Sequence, residues 1–367
     1  MVILVGIGFE HNCKVQLRVN SSTLKVVTAM DVGMVALTCV AGIVCGLCSV
    51  KSTQQLNLRL RKLDESLQFF LNHENDRFAS RILATVPATL FGALISYDYF
   101  VWMRVVPEHF LEATFNWYLP FYGIYLILIG SHILYASNAL GLGRRFRRLN
   151  TILKSRFLLE QKSCCKMKIW VTNLTADQEL SSFHKFDRLK TQQFKPTVEL
   201  LTLLVDNYES LYKCVEIFSK YNRISRSFIS AFGFAVLCNL ISCALHLIIT
   251  GHFLIIALDD VSITLYTCNQ LLWITMHVFR LLLVVEACHK ATVESKNTIH
   301  IISEINRKND DQALANEFQK FWQHLSVYDV KFSVLGICNI DRNILTAFTS
   351  GIATYLFVVL QFQSTRG

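Results

Sequence analysis

Apolar residues along this chain gather in blocks close to 20 residues long, and the charged residues fall between the blocks. Six such blocks are predicted to be membrane-spanning helices, at about 27–48, 82–103, 118–142, 228–249, 262–286 and 344–362. At 1.5 Å of rise per residue, about 20 residues match the roughly 30 Å hydrocarbon core of a bilayer. The intervening segments carry a helical period of their own. Leu56, Leu60, Leu63, Leu67 and Phe70 share one helix face, as do Phe146, Leu149, Ile152 or Leu153, and Phe157. A further face runs through Leu200 or Leu201, Leu204, Tyr208, Leu211 and Val215, and another through Leu314, Phe318, Phe321, Leu325 and Tyr328. With polar residues on their other faces, these segments predict amphipathic helices that continue the spans into water and pack on protein.

The expected fold class is therefore an all-α integral membrane protein, one transmembrane domain over residues 1–367, with helical extensions at 51–81, 143–226 and 287–338. At the N-terminus, Met1–Phe9 is apolar but too short to span, and it lacks the basic start and cleavage site of a signal peptide. Six complete spans follow it.

Charge orients the helices. The segments 51–81, 143–226 and 287–338 hold 29 Lys and Arg, whereas the opposite side holds five, Lys14, Arg18, Lys25, Arg104 and Arg366. Basic loops stay in the cytoplasm. The C-terminus is thus expected outside, which inverts the orientation of a G-protein-coupled receptor. Asn20, in the sequon Asn20-Ser21-Ser22, falls on the outer side where glycosylation can occur. Because the net charge of +9 sorts by loop, it reads as topology and not as a nucleic-acid surface.

Little in the sequence supports an enzyme. Gly141 and Gly143 lack the third glycine and preceding strand of a dinucleotide loop, and the 11 His show no His-Glu-x-x-His spacing. Most of the 12 Cys lie in or beside apolar blocks, where a thiol is a small hydrophobe, so no metal or cofactor is expected.

The end of the last block reads Thr354-Tyr355, five apolar residues, then Gln361-Phe362. This resembles the signature of the insect gustatory receptor family, and Gly336, Ile340, Asp341 and Leu345 upstream resemble the pattern that leads into it. Arg145-Phe146 and Leu149-Asn150 resemble the positions after the family's fourth helix, and Met1–Phe9 resembles the tail of its first. The resemblance implies a seven-helix, ligand-gated cation channel for small-molecule tastants in the plasma membrane of a sensory neuron. It also implies a tetramer, of this chain alone or with related receptors, whose last helices line a pore. An accessory subunit that does not conduct, or a transporter, is the alternative; no internal repeat of the transporter kind is visible.

Candidate sites follow. Tyr97, Trp102, Tyr122, Tyr125, His246, Tyr266, Asn269, Gln270 and Trp273 converge at one depth in the outer halves of the helices, where apolar walls with a few polar anchors suit a small ligand. Asp31, Asp98, His246, Arg280 and Glu286 are the costly ionisable residues of the spans. Arg280 and Glu286, nearer the cytoplasmic end, are expected to snorkel or pack. Along the last helix, Thr354, Phe357 or Val358, and Gln361 form one stripe, with Phe362 beside it as a candidate gate. The resemblance assigns Leu314, Phe318, Phe321 and Leu325 to contacts between subunits.

Overall fold

The computed structural model describes residues 22–66, 73–105, 114–159, 186–258, 264–308, 312–327 and 330–364. Met1–Phe9, Asn20, Leu67 and Phe70 lie outside them, as do the side chains of Leu63, Phe362 and residues 200–211.

Among the described residues the chain is almost entirely helical. In order come α1 (Ser22–Ser66), α2 (His73–Val105), a π-helical turn (Thr114–Tyr118) running into α3 (Leu119–Leu153), a second π-helical turn (Lys154–Leu159), α4 (Phe186–Leu258), α5 (Thr264–Lys308), α6 (Gln312–Val327), a two-stranded hairpin of β1 (Ser333–Val334) and β2 (Cys338–Asn339), and α7 (Asn343–Ser364). Five helices contain segments long and apolar enough to cross a membrane. α7 is a sixth apolar helix, 22 residues long.

Helix length explains why spans and extensions are continuous. α4 has 73 residues, about 110 Å at 1.5 Å per residue, so most of it must lie beyond a hydrocarbon core of about 30 Å. The outward faces of the spanning segments are apolar, as at Leu37, Leu47, Leu90 and Leu126. Such a surface suits hydrocarbon and not water.

Two cores result. The larger joins the extensions, with Phe146, Leu149 and Leu153 of α3 packed with Phe218 and Tyr221 of α4 and Ile301, Ile302 and Ile305 of α5. Leu60 of α1 and Val215 of α4 pack against its edge, which is the covering that the amphipathic pattern demands. α3 and α5 meet closely there, because a Cβ on Gly143 would come within 3.1 Å of the Ala291 backbone. The smaller core, described below, lies among α1, α2, α3 and α5.

The fold is all-α as expected, with one small addition before α7, where Leu335 and Gly336 take positive φ and close a short antiparallel hairpin. Ile340, paired by its N–H to the Phe332 carbonyl at 2.7 Å, is buried. Asp341 then accepts the Asn343 amide at 3.0 Å and starts the last helix. Gly336, Ile340, Asp341 and Leu345 are thus the residues that turn, anchor, cap and seat this junction, Leu345 packing against the larger core.

The apolar face of α6 is covered within the chain. Leu314, Phe318, Phe321 and Leu325, which the resemblance assigns to contacts between subunits, are at most 4% exposed within their own chain. Phe318 meets Phe157 edge-on with ring centres 5.2 Å apart, and Phe321 meets Phe218 at 6.2 Å. Covering by the chain's own extensions removes the reason for assigning this face to a neighbour.

Candidate functional site

Asp98 on α2 is the centre of the smaller core. Only 5% of it is exposed, and a carboxylate at that depth is costly unless hydrogen bonds replace its water. Three donors do so. Asn269 donates from Nδ2 at 2.5 Å and Trp273 from Nε1 at 3.0 Å, both to Oδ1, while the Tyr122 hydroxyl donates to Oδ2. The donors come from α3 and α5, so the acid of α2 ties three helices together.

Helical spacing puts them there. On α5, Asn269, Trp273, His277 and Arg280 follow at steps of four, four and three and share one face; Tyr118 at the end of the π-helical turn and Tyr122 and Tyr125 of α3 follow at steps of four and three. An aromatic wall results. Trp102 packs against Tyr118 and Tyr266 at 5.8 and 6.4 Å, Tyr125 meets Trp273 edge-on at 5.1 Å, and Trp273 stacks on His277 at 5.7 Å.

The far end of the wall is basic. Arg280 lies over the Tyr125 ring at 5.7 Å and contacts His277 Nδ1 at 3.3 Å. His246 of α4 sits 4.8 Å from His277, ring to ring, and 3.7 Å from the Asp31 carboxylate of α1. Buried His132 of α3 meets the Leu128 carbonyl at 2.7 Å. Arg280 is 1% exposed. Of the two expected alternatives, snorkelling or packing, it packs, because the α5 face that carries it points into the bundle and not along its surface.

Several buried polar atoms of this region have no hydrogen-bond partner among the described residues: Asn269 Oδ1, Gln270 Nε2, both ring nitrogens of His246, and Arg280 Nε and Nη2. Buried polar atoms are rarely left so. A carboxylate at Asp98, a wall of rings, and donors at Arg280 are the kinds of group that bind small polar molecules by hydrogen bonds and by stacking.

Of the expected residues, Trp102, Tyr122, Tyr125, His246, Tyr266, Asn269, Gln270 and Trp273 are all buried. Tyr97 is half-buried at the edge, its hydroxyl 3.5 Å from the Leu265 carbonyl. Asp31, Asp98 and Arg280 are expected only as costly ionisable residues of the spans, and Tyr118, His132 and His277 are not among the expected site residues. The four-four-three spacing from Asn269 is the signal that places His277 and Arg280 on the site face.

On α7, Ile352 and Leu356 are partly covered, whereas Thr354, Tyr355, Phe357, Val358 and Gln361 are exposed in the single chain. Leu356 faces Gly251 of α4, where an added Cβ would meet its methyls at 3.1 and 3.2 Å. One side of the helix thus rests on its own subunit and the side bearing the Thr354–Gln361 stripe is exposed in the single chain. The Thr354 hydroxyl turns back to the Ser350 carbonyl at 2.9 Å, so it does not need an outside partner.

Comparison with known proteins agrees with this architecture. The family described as 7tm chemosensory receptor matches residues 1–366. The gustatory receptor for sugar taste 43a of Drosophila melanogaster is 39% identical over 380 aligned residues, covering 99% of this chain and 87% of that protein. Solved structures of olfactory receptor OR5 of the insect Machilis hrabei are similar in fold. With eugenol bound the TM-score is 0.62, at 12% identity and with 98% of this chain and 88% of the other covered; for the second OR5 structure the score is 0.57, with 98% and 87% covered. At such identity the likeness is one of fold.

Proposed function

Because this chain belongs to the 7tm chemosensory receptor family, a family of multi-pass membrane proteins of sensory neurons, we propose that it is a gustatory receptor acting as a tastant-gated cation channel, with sugars as the tastant class. The observation that carries the sugar reading is the Asp98 centre beside the Trp273 and Tyr125 rings, with unpartnered Arg280 donors beyond. A sugar presents hydroxyls that both donate and accept, and C–H faces that stack on aromatic rings. Carboxylate and amide oxygens, guanidinium N–H groups and aromatic faces answer each of these in one buried place. The similarity to a receptor described for sugar taste supports the same class.

The channel reading rests on α7. Its exposed Thr354, Phe357, Val358 and Gln361 stripe is proposed to face a central axis in a tetramer, of identical chains or with related receptors, because polar side chains exposed along a spanning helix suit a water-filled path better than lipid. Phe362 is proposed to stand at the mouth. The same proposal sets 51–81, 143–226 and 287–338 in the cytoplasm and the C-terminus outside.

The test is current recording from cells expressing this chain alone, with an equimolar mixture of glucose, fructose and sucrose applied outside. A sugar-evoked cation current in the wild type, lost in Asp98→Ala at equal surface expression, is the expected result. Surface-expressed wild type without such a current removes the reading in favour of a subunit that does not conduct by itself.

A further inference from the structure

α5 carries Asn269, Trp273, His277 and Arg280, whereas α7 leans mainly on α4. Among the described residues a two-point ion pair joins α5 to the start of α7. Arg342, the residue before α7, donates from Nε to Glu286 Oε1 at 2.7 Å and from Nη2 to Oε2 at 2.9 Å. Glu286 is thirteen residues beyond Trp273 on the same unbroken helix, about 20 Å away along its axis.

From this geometry we infer that Glu286 and Arg342 are the positioning residues through which ligand occupancy at α5 reaches α7, the pair being closed at rest and released on opening. This rests on the channel reading above. A helix as continuous as α5 carries a shift at one end to the other as a rigid body, and its effect at α7 needs a contact with two discrete states. A two-point Arg–carboxylate pair has that character, since both bonds form only in one relative placement of the two elements. Exposure suits it to breaking. The side chains are 60% and 30% exposed, so either charge can take up water when the pair opens, whereas a fully buried pair would leave an orphaned charge.

Arg342 is placed where small movements matter. Immediately before it, the hairpin and Ile340 are fixed in the larger core, and Asp341 caps α7. Just after it, Ile344, Leu345 and Phe348 pack against that core at the first turns of α7. A pull on Arg342 therefore acts at the foot of the proposed pore helix, between a fixed hairpin and an exposed upper stretch.

The experiment compares wild type, E286Q, R342Q, the double E286Q/R342Q and the exchanged pair E286R/R342E, by current recording with the same sugar mixture and by surface labelling. Each single neutralisation is expected to raise the current without sugar and to lower the half-maximal sugar concentration about fivefold, the scale of one exposed two-point pair. The double should move it no further than either single, and the exchanged pair should return it toward wild type. A merely structural role would lower surface expression and maximal current and leave the half-maximal concentration where it was. That outcome, or additive shifts in the double, overturns the inference while sparing the channel reading. Wild type at the surface without sugar-evoked current overturns both.

Discussion

Trp273 donates its indole N–H to Asp98 across 3.0 Å, joining α5 to α2 inside the smaller core. The bond serves two ends: it helps satisfy a buried carboxylate, and it fixes the plane of the ring that forms the wall of the proposed site. Trp273→Phe keeps the ring and deletes the donor. It is expected to raise the half-maximal sugar concentration about five- to thirtyfold, the equivalent of about 1–2 kcal/mol for one lost hydrogen bond. Maximal current should persist, and concentration–response curves at matched surface expression provide the check.

Gln361 lies on the exposed side of α7. If four copies face the ions, Gln361→Glu places a ring of carboxylates in the pore and changes divalent permeation or block. Recordings with sodium, potassium and calcium as permeant ions test this. Unaltered selectivity and conductance in both Gln361→Glu and Gln361→Ala would take the residue out of the pore.

Phe318 is fully buried against Phe157 within its own subunit. Phe318→Ala should therefore cost about 3–5 kcal/mol of fold stability, the usual loss for a buried Phe. It should not change the size of the intact oligomer. Thermal unfolding followed by tryptophan fluorescence, with size-exclusion chromatography at low temperature, separates the two effects; a smaller oligomer with unchanged unfolding would return Phe318 to an intersubunit face.

The loop charges predict sidedness. A tag after the last residue should be stained on intact cells, and one inserted in the basic segment 143–226 only after permeabilisation. The reverse pattern would invert every assignment of inner and outer ends made above.

Much of the helical framework was readable because it rests on local periodicity. Apolar blocks as long as a bilayer is thick, and stripes at Phe146, Leu149 and Leu153, arise from spacing along one helix, and those three residues are buried where the stripe says they should be. The hairpin before α7 was not legible, since two-residue strands carry no period. For Leu314, Phe318, Phe321 and Leu325 the apolar face was legible and its partner was not. Amphipathicity says that a face must be covered, and says nothing of what covers it.

The same division runs through the proposed site. By itself the sequence determined that this is a helical membrane protein, which stretches enter the bilayer's apolar range, and that polar and aromatic residues such as Tyr122, Asn269 and Trp273 lie at a shared depth, because hydropathy and helical pitch are properties of neighbouring residues. Only the tertiary structure decided that Asp98 is their common acceptor and that Arg280 turns inward beneath Tyr125. It also decided that Glu286 reaches Arg342. These are relations between residues 24 to 175 positions apart in the case of Asp98 and its donors, and 56 in the case of Glu286 and Arg342. They depend on the rotation and offset of one packed helix against another, which side-chain volumes across the whole interface set jointly and which no single stretch of sequence encodes.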